Sequence, residues 1–454
     1  MTRFWAYGVS AWFLFVPIAI ALAQAVPAMR VAMQLAGIVV LVVALFKLCF
    51  SPDLQNFKWT IALGAMAFAF PLLQLIPLPL SLWSEFPGRQ FVIASFNAVG
   101  LSPSWMPITL SPVATLNSFL AMLPAFALFL ATLTLPQGDR RKPVVALVGL
   151  GLCSVLLGLA QISQGPGSSL YFLKDSNLGS AVGLFANRNH FAALLFCCMP
   201  FVSAWTIWLV RSGTINGFSA ALGSIFIYGI LILGLAISGS RAGILLAMLA
   251  MFSALFLIWG RSLSKSSDVA SKAVIFAGVI GMMVIVEFGL IGIMRFVQQD
   301  AIDQKRLEIA RTSLRIGADM APLGSGLGTF VPVYGMYETP QTLGTGLINY
   351  AHNDWLQLWL EGGAGAAVLL GAFFLWYANR TFYVWRWGGN SLDDLLPRAA
   401  SLVIALLLIH SLVDYPLRST ALMCVFAVAC GLMAPNSLER SSRKNMSFAN
   451  RRTS

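Results

Sequence analysis

The chain has 454 residues and a formal net charge of +12, yet 58% of its residues are hydrophobic and only 10% are charged. A soluble protein of this length carries about 25% charged residues, so a water-soluble globular fold is excluded. The net charge alone would suggest nucleic acid, but the basic residues lie mostly in short loops between apolar runs, where topology control puts them.

Continuous apolar runs near the length that spans a bilayer recur along the whole chain, and their lack of alternation argues against strands. Twelve spans are predicted, at roughly 4–25, 30–50, 59–80, 112–135, 143–163, 190–210, 219–238, 243–260, 273–294, 355–378, 399–415 and 420–435. The first run lacks a long charged leader, and Ala-Leu-Ala-Gln at 21–24 only faintly resembles a cleavage site, so it reads as a retained helix. With the N-terminus inside, 18 of the 29 basic residues face the cytoplasm, which supports that orientation and puts both termini there. The six cysteines all fall inside predicted spans and read as packing residues. The expected fold is an all-α polytopic membrane protein of about 12 transmembrane helices, with one large outer loop between spans 9 and 10. Residues 1–180 hold the first five spans and their loops, 181–435 the core, and 436–454 a basic, disordered tail.

Three outer loops are long. Residues 81–111, rich in Pro, Ser and Trp, suit an interfacial segment lying on the membrane. Residues 164–189 end in GLFANRNHF, which packs Asn187, Arg188, Asn189 and His190 into one turn. They either bind sugar hydroxyls or a diphosphate, or cap the sixth span. Residues 295–354 form the main loop. Its start, Asp300 to Met320, has an imperfect helical stripe of Ile302, Leu307, Ile309, Ala310, Leu314 and Ile316. Pro322 and Gly324, Gly326 and Gly328 then break it; the glycines form either turns or a backbone nest for an anion.

The main loop carries Lys305, Arg306, Arg311 and Arg315, where the orientation rule would not put them. Arginine suits a phosphate, because its planar fork donates two parallel hydrogen bonds. The cluster reads as an anion site at the outer face; the alternative is a solvated face with pairs such as Arg311 with Glu308. Arg241, in AISGSRAGILL, lies at a tight turn close to hydrocarbon, where a charge is functional, paired or snorkelling. His352 opens the tenth span, with Asn353 or Asp354 able to cap that helix. The helix N-terminus disfavours a protonated imidazole there, which makes His352 a candidate general base for a sugar hydroxyl. The other reading is a capping histidine. Glu361, Glu287, His410 and Asp414 are expected to find internal partners.

Taken in order, these motifs resemble a known family. SGSRAG ends one span; R-L-x-I and P-L-x-G-x-G-x-G-T-F follow in the outer loop; H-N-D-x-L-Q-L-x-x-E-G-G opens the next span. This resembles the O-antigen ligase and Wzy-type polymerase superfamily over roughly residues 181–420. The resemblance implies a GT-C-like, metal-independent, inverting membrane glycosyltransferase without a cofactor. It would sit in a bacterial inner membrane with its active site facing the periplasm. The donor would be a glycan on undecaprenyl diphosphate, and the acceptor either lipid A-core, in a ligase, or another glycan, in a polymerase. By motif, Arg241 and Arg306 would hold the diphosphate, with Arg311 as fallback, and His352 would activate the acceptor hydroxyl. Arg188, Arg315, Asn353 and Asp354 join Asn187, Asn189 and His190 as further substrate candidates. The rival class is a transporter or flippase for a lipid-linked sugar. That reading expects ionisable residues deep in several spans, whereas only Glu287 is clearly near a span centre. A structural subunit of an envelope complex gives no reason for pairing arginines with a histidine.

Overall fold

The computed structural model describes residues 2–23, 26–172, 177–259, 300–338, 347–387 and 389–435. Long apolar helices dominate: α1 (Thr2–Leu22), α2 (Ala28–Cys49) and α3 (Leu54–Gln74). A small hairpin follows, β1 (Pro77–Pro79) antiparallel to β2 (Trp105–Pro107), enclosing the short helices α4 (Leu80–Trp83) and α5 (Gln90–Ala98). Then come α6 (Pro112–Leu133), α7 (Arg141–Gln164), α8 (Arg188–Ser212), α9 (Gly217–Ser238) and α10 (Arg241–Trp259). The last group is α11 (Asp300–Asp319), α12 (Phe330–Gly335), α13 (Asp354–Trp387), α14 (Leu392–His410) and α15 (Thr420–Leu432).

Eight helices among the described residues are long and apolar enough to cross a membrane. This is a polytopic helical membrane protein, and eleven of the twelve expected spans have a helix at their place. Of the other three, the helix at 420–432 is shorter, that at 392–410 carries Asp393, Asp394 and Arg398, and that at 241–259 ends where the described residues end. The expected ninth span, 273–294, and Glu287 with it, lies outside the described residues.

Helix α8 is the axis of the core. Its stretch from Phe191 to Ala204 is buried throughout, against α7, α9, α10 and α14. Gly243 makes the α8–α10 approach close, since a Cβ there would stand 2.3 Å from Ala192 Cβ. A second group packs around α6, with α2, α3 and α15 against it. The outer faces of the long helices stay apolar and exposed, as at Val39, Leu72, Phe226 and Leu375. A helix in lipid has no reason to hide that face.

Three devices shape the end of the bundle where α8, α10, α13 and α15 begin. First, the 81–111 loop is anchored rather than loose. Arg89 is fully buried and donates to the carbonyls of Ile108 and Gly324, each at 3.0 Å, beside the Trp83 ring. Burial lowers the Arg89 guanidinium to about 10. Helix α5, uncharged and without a buried residue, stands out from this loop.

Second, α13 is kinked at Gly363 (φ 53°, ψ −143°). A break in a spanning helix strands backbone groups that must find partners. The glycine loop supplies them: Gly326 N–H donates to the Glu361 carbonyl (2.8 Å) and Ala364 N–H to the Pro322 carbonyl (2.8 Å). The loop's amides are therefore spent on protein, Ser325 on Leu360 and Leu327 on the Gln74 side chain. These glycines form tight turns, not an anion nest. Gly326, at φ 108°, has no room for a Cβ, which would fall 1.9 Å from Thr109 Oγ1.

Third, α11 lies against α13. The expected helix is present, but its inner face is Ile309, Ser313, Ile316 and Met320, while Leu307 and Leu314 are about half exposed (52% and 50%). Of the expected stripe, Ile309 and Ile316 lie on the inner face, whereas Leu307 and Leu314 lie outside it. Gly317 sits so close to Trp359 that a Cβ would meet its ring at 2.1 Å, so a missing side chain sets the contact.

Candidate active site

The SGSRAG turn is built by its serines. Gly239 takes a left-handed φ of 62° to end α9, and Ser240 Oγ accepts from Gly243 N–H (3.1 Å) to cap α10. Ser240 Oγ also donates to Asn189 Oδ1 (2.7 Å), which ties the start of α10 to the start of α8. Asn187 caps α8 by accepting from Asn189 N–H (2.8 Å). Arg188 and Arg241 are thus the first residues of two adjoining helices, whose N-termini carry partial positive charge. Arg188 Nη1 lies 3.7 Å from where a Gly239 Cβ would stand. Arg241 and Arg306 are each near enough to Arg188 to repel its charge. Arg306 reaches this place because it sits one turn before Ile309 on the inner face of α11.

Arg311 and Arg315 do not join them. Five residues beyond Arg306, Arg311 is turned by about 140° around the helix, and its side chain is exposed. Arg315 is exposed too, pairing with Asp319 (3.9 Å) and stacking over Tyr337.

All three of the chain's histidines meet around one carboxylate. Asp414 lies in the turn after α14, buried completely. Its Oδ1 is 3.8 Å from His352 Nδ1 and its Oδ2 3.8 Å from His410 Nε2, an electrostatic contact slightly longer than a hydrogen bond. Burial pushes the Asp414 carboxyl up, but His352, His190, His410 and the Asn189 amide together outweigh it. The group is held well below the usual carboxylate range. Tyr415 fills the space between the arginines and the histidines. Its ring meets His190 and His352 edge-on (4.9 and 5.2 Å) and stacks on Tyr350 (4.1 Å). Its hydroxyl accepts from Asn187 Nδ2 (3.3 Å). Burial raises the Tyr415 phenol, and Asp414 adds to that.

His352 has a left-handed φ of 52° and is one-third exposed, whereas His190 and His410 are buried. Such a conformation is costly for a residue with a Cβ and persists only where neighbours impose it. They do so on both sides. Ala351 N–H donates to Gln357 Oε1 (3.1 Å), and Asn353 Nδ2 to the Leu412 carbonyl (2.8 Å). Asn353 Oδ1 caps α13 through Trp355 and Leu356 N–H.

Asp354 departs from its expected part as a substrate ligand. Its Oδ2 accepts from Ser411 Oγ and Leu417 N–H, both at 3.0 Å, and its Oδ1 pairs with Arg418 (3.5 Å). Asn353 is likewise spent on capping, and Asn187 and Asn189 on the turn and its neighbours, while His190 is buried against Tyr415 with no hydrogen-bond partner for its Nε2. Arg188, Arg241 and Arg306 gather at the starts of α8 and α10, and Tyr415, whose ring meets His352, lies within electrostatic reach of Arg306.

Residues 226–371 match the family model described as O-antigen ligase. The resemblance read from the motifs is borne out. The matched stretch holds Arg241, Arg306, the glycine loop and His352, and is narrower than the 181–420 expected; Arg188, Asp414 and Arg418 lie outside it. Members of this ligase and polymerase family are glycosyltransferase-like membrane enzymes, acting between a lipid-linked glycan and a glycan acceptor. No curated protein matches the chain.

Sequence reasoning passed over Asp414, Tyr415 and Arg418 as site residues. The signal available was their density: HSLVDYPLR puts a histidine, an aspartate, a tyrosine and an arginine in nine residues between two apolar helices.

Proposed function

We propose that the protein transfers a glycan from a lipid diphosphate to a sugar hydroxyl at the outer face of a bacterial inner membrane. The observation that carries this reading is the meeting of three arginines from three helices with one partly exposed histidine backed by a carboxylate. Arg188, Arg241 and Arg306, with the N-termini of α8 and α10, bind the diphosphate of an undecaprenyl-linked donor. His352 Nδ1 faces Asp414, which leaves Nε2 for the acceptor. The acceptor oxygen forms its bond to the anomeric carbon from the face opposite the diphosphate, with inversion. Its proton passes to His352 Nε2, and the bond to the diphosphate breaks with the electron pair leaving on phosphate. Asp414 stabilises the imidazolium, and the arginines stabilise the charge growing on the leaving group.

Lipid A-core is the acceptor of the ligase reading and another glycan that of the polymerase reading, and the family match is compatible with both. A strain lacking the gene, complemented with wild type or His352→Ala, tests the reading by gel analysis of lipopolysaccharide and secreted polysaccharide. Long glycan left on the carrier with bare lipid A-core supports a ligase. Single repeat units in place of long chains would make it a polymerase. Unchanged glycans, or full complementation by inserted His352→Ala, would overturn the catalytic reading and return the transporter.

A further inference from the structure

Arg418 is absent from the mechanism above, yet it is the best-connected charge near His352. It sits in the short turn Pro416–Arg418, four residues after Asp414. Its Nη1 reaches Glu361 Oε2 at 2.6 Å, and its Nε faces Asp354 Oδ1 at 3.5 Å. Glu361 is fully buried two turns along α13, and its other oxygen accepts from Gln357 Nε2 (3.1 Å) and Phe330 N–H (3.2 Å). Gln357 in turn holds Ala351, the residue before His352. Asp354 holds the turn that carries Asp414, through Leu417 N–H, and its own N–H donates to the Ser411 and Asp414 carbonyls (2.9 and 3.3 Å).

We infer that Arg418 is a positioning residue: by joining Asp354 and Glu361 it fixes the start of α13 to the Asp414 turn, and so holds His352 against its carboxylate. The inference rests on the proposed role of His352. Two anions on one helix face, one of them fully buried, need a cation between them. A planar fork can meet both, whereas a lysine ammonium on a flexible stem can sit on one or the other. The path from Arg418 to the chemistry runs through backbone: Asp354 is two residues from His352, and Asp414 four from Arg418. The same links account for the spacing of the H-N-D-x-L-Q-L-x-x-E-G-G stretch. Its Asp and Glu meet Arg418, its Gln joins Ala351 to Glu361, and its second Gly makes the kink. None of these groups faces the arginine cluster, so loss of the clamp should move the base and leave donor binding intact.

The test uses the full chain purified in lipid nanodiscs, with a polyprenyl diphosphate-linked glycan as donor and a sugar acceptor. Arg418→Lys keeps the charge and removes the fork. Its kcat should fall on the order of 10- to 100-fold, the cost of misplacing a reacting group by about an ångström, while affinity for the donor stays within about twofold. An unchanged kcat, or donor affinity lost in step with kcat, would overturn the inference. If Arg418→Lys does not insert and fold, Glu361→Gln replaces it. That variant keeps shape and one hydrogen bond, and an unchanged kcat in it refutes the clamp. His352→Ala run in parallel separates the two claims. Activity kept in His352→Ala sinks the base itself; activity lost there but kept in Arg418→Lys sinks only the positioning role.

Discussion

Two groups of charges stand side by side at one end of this bundle, and they are built on opposite rules. On the α8–α10–α11 side, Arg241 and Arg306 are brought near Arg188 although each repels it. On the α13–α14–α15 side Arg418 is paired with Asp354 and Glu361, and Asp414 has the three histidines around it. Like charges held together by helix packing favour whatever anion arrives, since the repulsion is relieved on binding. Arg418 and its two carboxylates are paired with one another and serve as framework. The difference divides the site into a part that binds and a part that positions.

That division predicts how each part breaks. The largest effect belongs to the base. His352→Ala should lower kcat by about 10² to 10⁴, the usual worth of general base catalysis, with donor affinity nearly unchanged in a binding assay. Next comes the arginine side, where the pattern reverses. Arg241→Ala or Arg306→Ala removes one charge-assisted contact of about 1.5–3 kcal/mol. The loss should appear as a 10- to 100-fold drop in donor affinity, with Arg241→Lys recovering part of it. A kcat-only defect in either arginine variant would erase the boundary between the two groups.

The spans were legible in the sequence because hydrophobicity alone specifies them, and the one-residue motif positions of Arg241, Arg306 and His352 were legible because their surroundings are short and local. The compensating partners were not. Arg418 reads as an ordinary loop cation, and its bond to Glu361 crosses 57 residues that no periodicity connects. The inner face of α11 was legible only in part, at Ile309 and Ile316, for a different reason. Leu307 and Leu314 look like core, but the close approach to Trp359 is made at Gly317, and Ser313 is buried on the same face, two residues a hydrophobic stripe ignores. Asp354 looked like a ligand because it follows His352; adjacency in a helix cap says nothing about which way a carboxylate turns.

A smaller effect sharpens the compensated side. Asp414 has its carboxyl held below the ordinary range in the folded protein, so the stability it contributes is in place above about pH 4 and is lost as pH falls through the folded value. Asp414→Asn should therefore melt lower than wild type at pH 7, and the gap should narrow on going to pH 3. A gap that is constant with pH would mean that Asp414 contributes packing and not charge.

The smallest effect tests the edge of the binding side. Arg306 and Arg311 share a helix, a charge and a loop, and the R-L-x-I motif prefers Arg306 with Arg311 as fallback. The turn of α11 makes the same choice, because residues five apart on a helix point about 140° apart and only Arg306 lies on the face that carries Ile309 and Ile316 to α13. If the arginine group binds by geometry, Arg311→Ala should leave donor affinity within about twofold, as expected for an exposed side chain, while Arg306→Ala does not. If it binds merely as a diffuse positive field, both variants should weaken the donor alike, and both losses should vanish together as salt is raised past the point where the Debye length is about 8 Å. Equal effects would dissolve the distinction between a built diphosphate site and a basic surface.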